Sequence, residues 1–193
     1  MKPIRIFMTG VGGQGTLTAT TLLSKAAMNE GLDVTSGEIH GMAQRGGVVE
    51  STLLIGCKSP KLGHGEADIL LGFEPLETLR ALPYLKKGGA IFSSTEFLPP
   101  LSVSTGKAVC PELETIKTQS EACATLCHYM ACQSIGLQAG AVQSGNIALL
   151  GALCATDLIP FGPEAVEEAI KQSMKPRIAD INLKALRLGS ETL

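Results

Sequence analysis

Charge is scarce in this sequence. Asp, Glu, Lys and Arg account for 18% of the 193 residues, whereas an average soluble domain has about 25%. The two signs nearly cancel to a formal net charge of −2, and no run of like charge is longer than the pair Lys86 and Lys87. A basic face for nucleic acid and a polybasic membrane patch are therefore excluded, and we expect neither partner. The low charge also indicates that part of the surface is an interface.

Long apolar runs and closely paired cysteines are absent as well. The longest wholly apolar stretch, residues 147–155, is much shorter than the roughly 20 residues that a bilayer-spanning helix needs. The chain starts without the features of a secretory signal, so its six cysteines are interpreted as thiols of a cytoplasmic protein. No two cysteines have the C-x-x-C spacing of common zinc sites and iron–sulfur clusters. We therefore expect any electron carrier to lie on another chain.

The size and the order of apolar segments predict one α/β domain. With 193 residues the chain is long enough for one core, so residues 1–193 are taken as a single domain. Residues 4–9 form a predicted strand, a glycine cluster follows, and the next apolar residues have helical spacing. Gly31 ends that helix, and a second strand at residues 33–36 completes a β-α-β unit of the kind that builds parallel sheets. The expected fold is a three-layer, Rossmann-like domain with a mostly parallel, or mixed, sheet flanked by helices.

Further segments continue this alternation. Strands are predicted at residues 48–55, 69–72 and 90–93, and helices at 75–82, 147–156, 163–173 and 179–187. The helix at 147–156 is apolar almost all round, so we expect it to be buried on most sides. Gly151 is expected to let another backbone approach it, and Gly189 to end the last helix.

The segment 99–144 shows a weaker pattern. A strand is predicted around residues 108–110 and a helix over residues 121–135. Cys123, Cys127 and Cys132 would lie on that helix, where we interpret them as buried small hydrophobic residues.

A glycine-rich motif lies between the first strand and the first helix. In GVGGQG, Gly10, Gly12 and Gly15 fit the pattern G-x-G-x-x-G at a helix start, where free N–H groups and the helix dipole favour an anion. Three interpretations remain open: a tight turn that packs helix against strand, a phosphate or other anion site, and a dinucleotide site. The last needs an acid near the end of the second strand, and the candidates are Asp33 and Glu38.

A second glycine-rich loop covers residues 37–47. Its Arg45 suits fork-like recognition of a carboxylate or a phosphate, and its glycines would let the backbone approach a ligand or a partner. The alternative is a solvated loop with an ordinary ion pair. His40, His64 and His128 are far apart in sequence, and we expect no metal site from them.

The chain shows no catalytic motif of its own. It has neither a G-x-S-x-G nucleophile elbow nor a cysteine in a signature setting. Glu112 with Glu114, and Glu167 with Glu168, are interpreted as solvated faces rather than as paired catalytic acids.

Five sequence blocks, taken together and in order, carry a family resemblance: GVGGQG, GEIHGMAQRGGVVESTLLIG, ADILLGFEPLETLR, GNIALLGAL and INLKALRLG. They resemble the gamma-type domain of the 2-oxoacid:ferredoxin oxidoreductases, almost continuously over residues 4–93 and more loosely over 145–189. Within that family, HGMAQRGG is similar to the beta subunit of the indolepyruvate type, whereas pyruvate-type gamma subunits tend to carry an acid-containing version before RGG. Residues 99–144 align with no block of the family.

The resemblance implies an activity that this chain would share with a partner. An arylpyruvate, coenzyme A and oxidised ferredoxin would give an aryl-acetyl-CoA, carbon dioxide and reduced ferredoxin. Thiamine diphosphate and the iron–sulfur clusters are expected on a large alpha subunit, with coenzyme A as co-substrate and ferredoxin reached through the complex. A subunit without the cofactor can still be essential to such an enzyme, and it is expected to be inactive alone.

The resemblance also implies a site. The two glycine loops would lie together at the carboxyl end of the sheet, facing the alpha subunit or the coenzyme A path, with Arg45 as an anion partner. The candidate residues of the first loop are Gly10, Gly12, Gly13, Gln14, Gly15 and Thr16. Those of the second loop are His40, Gly41, Gln44, Arg45, Gly46 and Gly47. No catalytic residue and no metal ligand is assigned.

Other functions remain open at this point. The chain could be the gamma subunit of a pyruvate-type or 2-oxoglutarate-type oxidoreductase. It could also be a stand-alone dinucleotide-binding protein, which GVGGQG alone supports, or a non-catalytic module with the same fold.

Overall fold

The computed structural model describes residues 2–40, 47–99, 101–107 and 109–193. Within these ranges six strands form one sheet in the order β2-β3-β1-β4-β5-β6. The strands are β1 (Ile4–Val11), β2 (Val34–His40), β3 (Val48–Ile55), β4 (Ala67–Gly72), β5 (Leu85–Ser94) and β6 (Ala124–Met130). The helices of the same ranges are α1 (Thr16–Asn29), α2 (Pro75–Ala81), α3 (Leu101–Ser104), α4 (Leu113–Glu121), α5 (Cys132–Ala139), α6 (Gly145–Cys154), α7 (Pro163–Ser173) and α8 (Pro176–Ser190). Short 3-10 helices lie at Leu82–Tyr84 and Val142–Ser144.

The sheet is mixed. Strands β1, β4, β5 and β6 are parallel to one another, whereas β3 is antiparallel to both of its neighbours, β1 and β2. The predicted β-α-β unit is therefore split, because β3 lies between β1 and β2. The antiparallel pair β2–β3 runs from Val34 opposite Ile55 to His40 opposite Val49. Strand β3 then adds to the edge of β1, which the crossover through α1 leaves open.

Helices cover the sheet on two faces, which confirms the three-layer α/β architecture. On the first face, Met8, Leu53 and Phe92 belong to the main core with residues of α1, α5, α6, α7 and α8. On the second face, Phe7, Leu70 and Ile91 form a smaller cluster, and α2 and α4 pack on this side. Successive side chains of a strand point to opposite faces, so one strand supplies both clusters.

Helix α6 lies at the centre of the first helical layer, and all ten of its residues are buried, as its composition predicts. A Cβ atom at Gly151 would overlap the carbonyl oxygen of Leu186 in α8, so the expected close approach is confirmed. The expectation for Gly189 is wrong, because it lies inside α8 rather than at its end. A Cβ atom there would overlap the carbonyl oxygen of Ala148, so both glycines allow α6 and α8 to pack backbone to backbone.

The predicted helix at 121–135 is wrong. Helix α4 ends at Glu121, β6 follows in parallel with β5, and α5 begins at Cys132. Ala, Leu and Met in this segment favour helix, but the open edge of β5 provides a pairing partner that local preference does not reveal. Val109 and Cys110 lie in no strand, and Ala108 is outside the described residues.

The cysteines of this segment consequently share no helix face. Cys123 is exposed in the turn before β6, Cys127 is half-buried in β6, and Cys132 is buried at the start of α5. Burial raises the pKa of Cys132 to about 12. The interpretation as buried small residues therefore holds for Cys132 and fails for Cys123.

Candidate ligand-binding site at the carboxyl edge of the sheet

The order of the strands creates a crevice between the ends of β1 and β4. These strands are parallel neighbours, but β1 continues into α1 on the first face and β4 continues into α2 on the second. The two connections diverge and leave a space at the carboxyl ends of the strands, which is where ligands bind in open α/β sheets. The first glycine loop lies at this position.

The glycine loop leads directly into an uncapped helix. Gly13 and Gly15 have φ angles of 103° and 80°, in the left-handed region that side chains disfavour. Helix α1 begins at the next residue without a side-chain cap or an acidic residue in its first turn. The N–H groups of the first turn have no intrahelical acceptor, and the helix dipole adds partial positive charge there. This geometry favours an anion or a carbonyl oxygen.

Gln14 holds the two sides of the crevice together. Its Oε1 accepts a hydrogen bond of 2.8 Å from the N–H of Val11, and its Nε2 donates one of 3.0 Å to the carbonyl oxygen of Phe73. The N–H of Gly12 donates to the carbonyl oxygen of Gly47 at 2.9 Å, so the end of the second glycine loop lies against the first. The loop is thereby fixed before any ligand binds.

Two cavities lie on either side of this loop. The first has a volume of about 270 Å³ and is lined by Gly12, Gly13, Gln14, Phe73, Leu98, Cys132, Gln133, Val142, Gln143, Gly145 and Asn146. The second has a volume of about 430 Å³ and is lined by Gly13, Gln14, Gly15, Thr18, Ala141, Gln143, Ser144, Asn146, Met174, Ile178, Ile181 and Asn182. None of these described lining residues carries a formal charge. Carboxamides, backbone amides and apolar side chains therefore define the chemistry of both cavities.

Asn146 connects the two cavities, and sequence reasoning missed it. It lies in the first turn of α6 with 8% of its surface exposed, and its Nδ2 donates to the carbonyl oxygen of Gly15 at 3.0 Å. A Cβ atom at Gly15 would overlap this amide, so glycine is required by space as well as by φ. The block GNIALLGAL contains Asn146, but its pattern indicated only a buried helix. Gln143 was missed for the same reason, since a lone polar residue before a helix carries no signal.

Two glutamates behind the first cavity hold residues that line it. Oε2 of Glu74 accepts from the N–H of Glu77 at 2.9 Å and caps α2, while Oε1 accepts from the N–H of Leu98 at 3.3 Å. Burial, and secondarily the charge of Glu77, raise the pKa of Glu74. Glu96 accepts from the N–H groups of Gln133 and Ser134 at the start of α5. The connection that carries Leu98 is thus tied to two helices.

The remaining predicted site residues have different surroundings. Gly10 lies in β1 opposite Val49, and Thr16 is buried with an Oγ1 that finds no partner among the described residues. The backbone of His40 ends β2 opposite Val49. Gly41, Gln44, Arg45 and Gly46 lie outside the described residues.

The acids required for a dinucleotide are poorly placed. Asp33 precedes β2 at its amino end, and Glu38 belongs to a strand that β3 separates from β1. Two strand spacings place β2 roughly 10 Å from β1, about twice the distance of an adjacent strand. A ribose bound at the glycine loop would therefore be far from either carboxylate.

The described ranges contain no group of three or more His, Cys, Asp or Glu side chains arranged to hold a metal ion. None of their helices combines the length and the apolar character needed to cross a bilayer.

The sequence matches the family model described as pyruvate ferredoxin/flavodoxin oxidoreductase over residues 5–192. The chain is 42% identical over 193 residues to indolepyruvate oxidoreductase subunit IorB of Pyrococcus horikoshii. This match covers 98% of this chain and 95% of the relative. The corresponding subunit of Archaeoglobus fulgidus is 40% identical, and the match covers 96% of this chain and 93% of the relative. The common gamma subunit of the pyruvate/ketoisovalerate oxidoreductases of Thermococcus litoralis is 30% identical, and the match covers 97% of this chain and 96% of the relative. The chain belongs to the pyruvate ferredoxin/flavodoxin oxidoreductase family, which confirms the resemblance.

Solved structures show the same fold. Pyruvate oxidoreductase subunit PORC from Thermotoga maritima superposes with a TM-score of 0.75 at 23% identity, covering 99% of this chain and 97% of that one. The gamma subunit of a keto/oxoacid ferredoxin oxidoreductase from Geobacter sulfurreducens gives a TM-score of 0.71 at 22% identity, with 98% and 97% covered.

Proposed function

We propose that this chain is the small subunit of an indolepyruvate oxidoreductase. The complex would convert an arylpyruvate, coenzyme A and oxidised ferredoxin into an aryl-acetyl-CoA, carbon dioxide and reduced ferredoxin. The observation that carries this proposal is the identity of 36% to 42% to four indolepyruvate oxidoreductase small subunits, against 30% to a pyruvate/ketoisovalerate gamma subunit. Residues 1–193 would form one domain of that complex in the cytoplasm, where its six free thiols would stay reduced.

The residues around the two cavities support a binding role for this chain. Carboxamides and backbone amides orient a ligand by hydrogen bonding, but they do not exchange protons near neutral pH. Cys132, the one thiol in the lining of the first cavity, stays protonated because burial raises its pKa to about 12. The bond-breaking chemistry would then belong to thiamine diphosphate and iron–sulfur clusters on the large subunit, with ferredoxin reduced through the complex.

Within this proposal the carboxyl edge of the sheet faces the coenzyme A path or the large subunit. The uncapped start of α1 and the amide of Asn146 are suited to the phosphate or amide oxygens of such a co-substrate. His40, Gln44, Arg45, Gly46 and Gly47 remain candidates for the same ligand, with Arg45 as the charged contact. Replacement of Arg45 by Ala should leave this subunit folded and lower turnover or coenzyme A affinity of the complex.

The decisive experiment is co-expression of this chain with a candidate large subunit of such an oxidoreductase. The purified complex is then assayed for coenzyme-A-dependent reduction of ferredoxin or viologen by indolepyruvate, with pyruvate and 2-oxoglutarate as comparison substrates. We expect a stable complex that is active, prefers indolepyruvate, and has no activity in either chain alone. Preference for pyruvate or 2-oxoglutarate would assign another branch of the family. Retention of NAD or NADP by the isolated chain, without complex formation, would favour the dinucleotide interpretation.

A further inference from the structure

Two strands at one edge of the sheet, β2 and β3, are covered by a helix on a single face. Helix α1 packs on the first face of β2 and β3, while on the second face α2 lies over β1, β4 and β5, and α4 lies over β6. The connection after β3 reaches only the middle of the second face, where the hydroxyl of Thr52 donates to the carbonyl oxygen of Pro60 at 2.8 Å. The second face of β2 and β3 is therefore left open around Ile39 and Glu50, whereas Thr9 of β1 beside them is buried. We call this surface, with Ile39 and Glu50 at its centre, the open face.

A large apolar side chain stands in the open face. Ile39 of β2 pairs with Glu50 of β3, which pairs with Thr9 of β1, so these residues form one row across three strands. Ile39 is 68% exposed. A cavity of about 320 Å³ lies beside it. Phe7 and Tyr84, whose stacked rings have centroids 4.2 Å apart, form part of the wall of this cavity. An exposed isoleucine beside an aromatic-lined cavity is typical of an interaction surface.

The same row contains a carboxylate without a partner. Glu50 is half-buried, and among the described residues no hydrogen bond or ion pair reaches its carboxylate, including from Lys61 in the same cavity. Glu77, on the neighbouring helix α2, already binds Arg80 at 2.7 Å. Burial, and secondarily the charge of Glu77, raise the pKa of Glu50. In the free chain this carboxylate therefore costs free energy that a cation from a partner would offset.

The open face is continuous with the second glycine loop. Residues 37–40 belong to β2 and form the start of the block GEIHGMAQRGG, so the strand that carries Ile39 leads directly into that loop. Charge and shape therefore specify a partner that presents a cation beside an apolar group, next to a loop already proposed to face the large subunit.

We propose that the open face is the docking surface for the large subunit, which places an apolar side chain against Ile39 and an arginine or lysine against Glu50. This inference rests on the proposed function and adds the contact surface to it. The ion pair would form in a partly desolvated setting, where it fixes the register of the two subunits as well as contributing affinity.

The test compares three variants in binding to the purified large subunit. Ile39→Asp and Glu50→Gln are each expected to weaken binding at least tenfold. The matched control is Met28→Asp, at a 65% exposed position of α1 on the other side of the sheet, and it should bind as the unmodified chain does. Glu50→Gln keeps the size of the side chain and removes its charge, so the free variant should melt at the same temperature or higher.

The outcomes separate the two proposals. If the unmodified chain binds the large subunit and both variants bind equally well, the docking surface is wrong and the proposed function stands. If the unmodified chain does not bind the large subunit at all, both proposals fail. If the chain alone forms a dimer that Ile39→Asp abolishes, the open face belongs to a second copy and the proposed docking is overturned.

Discussion

Glu74 and Glu96 show how single side chains determine which helix ends are open to a ligand. Each carboxylate accepts hydrogen bonds from the first backbone N–H groups of a helix, α2 for Glu74 and α5 for Glu96. Helices α1 and α6 also begin beside the first cavity, but they have no side-chain cap and no acid in their first turn. Positive helix ends therefore remain on the side of the cavity where the glycine loop lies.

Replacement of Glu96 by Ala should destabilise the chain. The change removes the acceptor of the Ser134 N–H bond of 3.1 Å and of the Ser134 hydroxyl bond of 2.6 Å, and it uncaps α5. We expect the free energy of unfolding to fall by about 1–2 kcal/mol in urea titrations. Glu114→Ala is the control, because its side chain is 81% exposed and its ion pair with Lys117 contributes little. Equal losses in the two variants would contradict the capping role.

The imidazole of His128 should make stability depend on pH. Burial lowers its pKa from the ordinary value of 6.5, and its Nε2 lies 2.9 Å from the hydroxyl oxygen of Thr192. Below pH 6.5 the unfolded chain then binds more protons at this residue than the folded chain does, so stability falls as the pH decreases. The loss should stay under about 1 kcal/mol, because the ring is partly open to solvent.

Thermal unfolding of the unmodified chain and of His128→Gln between pH 5 and pH 8 measures this contribution. Above pH 7 the melting temperatures of the two proteins should change with pH in the same way. Towards pH 5 the melting temperature of the unmodified chain should fall more than that of His128→Gln. Parallel curves over the whole range would show that this imidazole does not titrate differently on folding.

At the scale of elements, the sequence predicts well where local patterns agree with the final contacts. The strand at Val48–Ile55 and the helix at Pro163–Ser173 have the bounds that their apolar patterns indicate. Strand β6 does not, because only its pairing with β5 distinguishes it from a helix. The insertion of β3 between β1 and β2 could not be predicted from the sequence pattern either, because strand order depends on contacts between distant segments. The glycine loop was predicted from its motif, whereas Asn146 comes to it from 131 positions further along the chain.

The contact between α6 and α8 predicts a strong effect of one methyl group. Gly151→Ala would place a Cβ atom against backbone atoms of Leu186. Helix α6 is buried and the inner face of α8 packs on it, so neither helix can move without disturbing the core. We expect a loss of about 3 kcal/mol or more in urea unfolding. Gly63→Ala is the matched control, since its nearest neighbour is a flexible carboxylate oxygen of Glu66 at 3.5 Å. A change below about 1 kcal/mol in Gly151→Ala would contradict this packing.

At the scale of the whole molecule, the partial helix coverage of the sheet and the scarcity of charge both indicate that this chain is built as part of a complex. Strands β1 and β5 have helices on both faces, whereas β2 and β3 have a helix on one. A chain with 18% charged residues has few polar groups with which to cover such a surface. The molecule therefore has the composition and the shape of a subunit, and its stability should depend on the partner.

This dependence can be measured as a shift in melting temperature. A partner that binds only the folded chain adds about 2.7 kcal/mol when its free concentration is 100 times the dissociation constant. For a chain of this length that corresponds to a rise of about 5–11 °C. Calorimetry at increasing concentrations of the large subunit should show the transition of this chain moving upward without saturating. A transition that stays constant while the complex is visible by gel filtration would mean that the partner binds the unfolded chain as well. A docking surface formed by the paired strands β2 and β3 of the folded chain does not allow this.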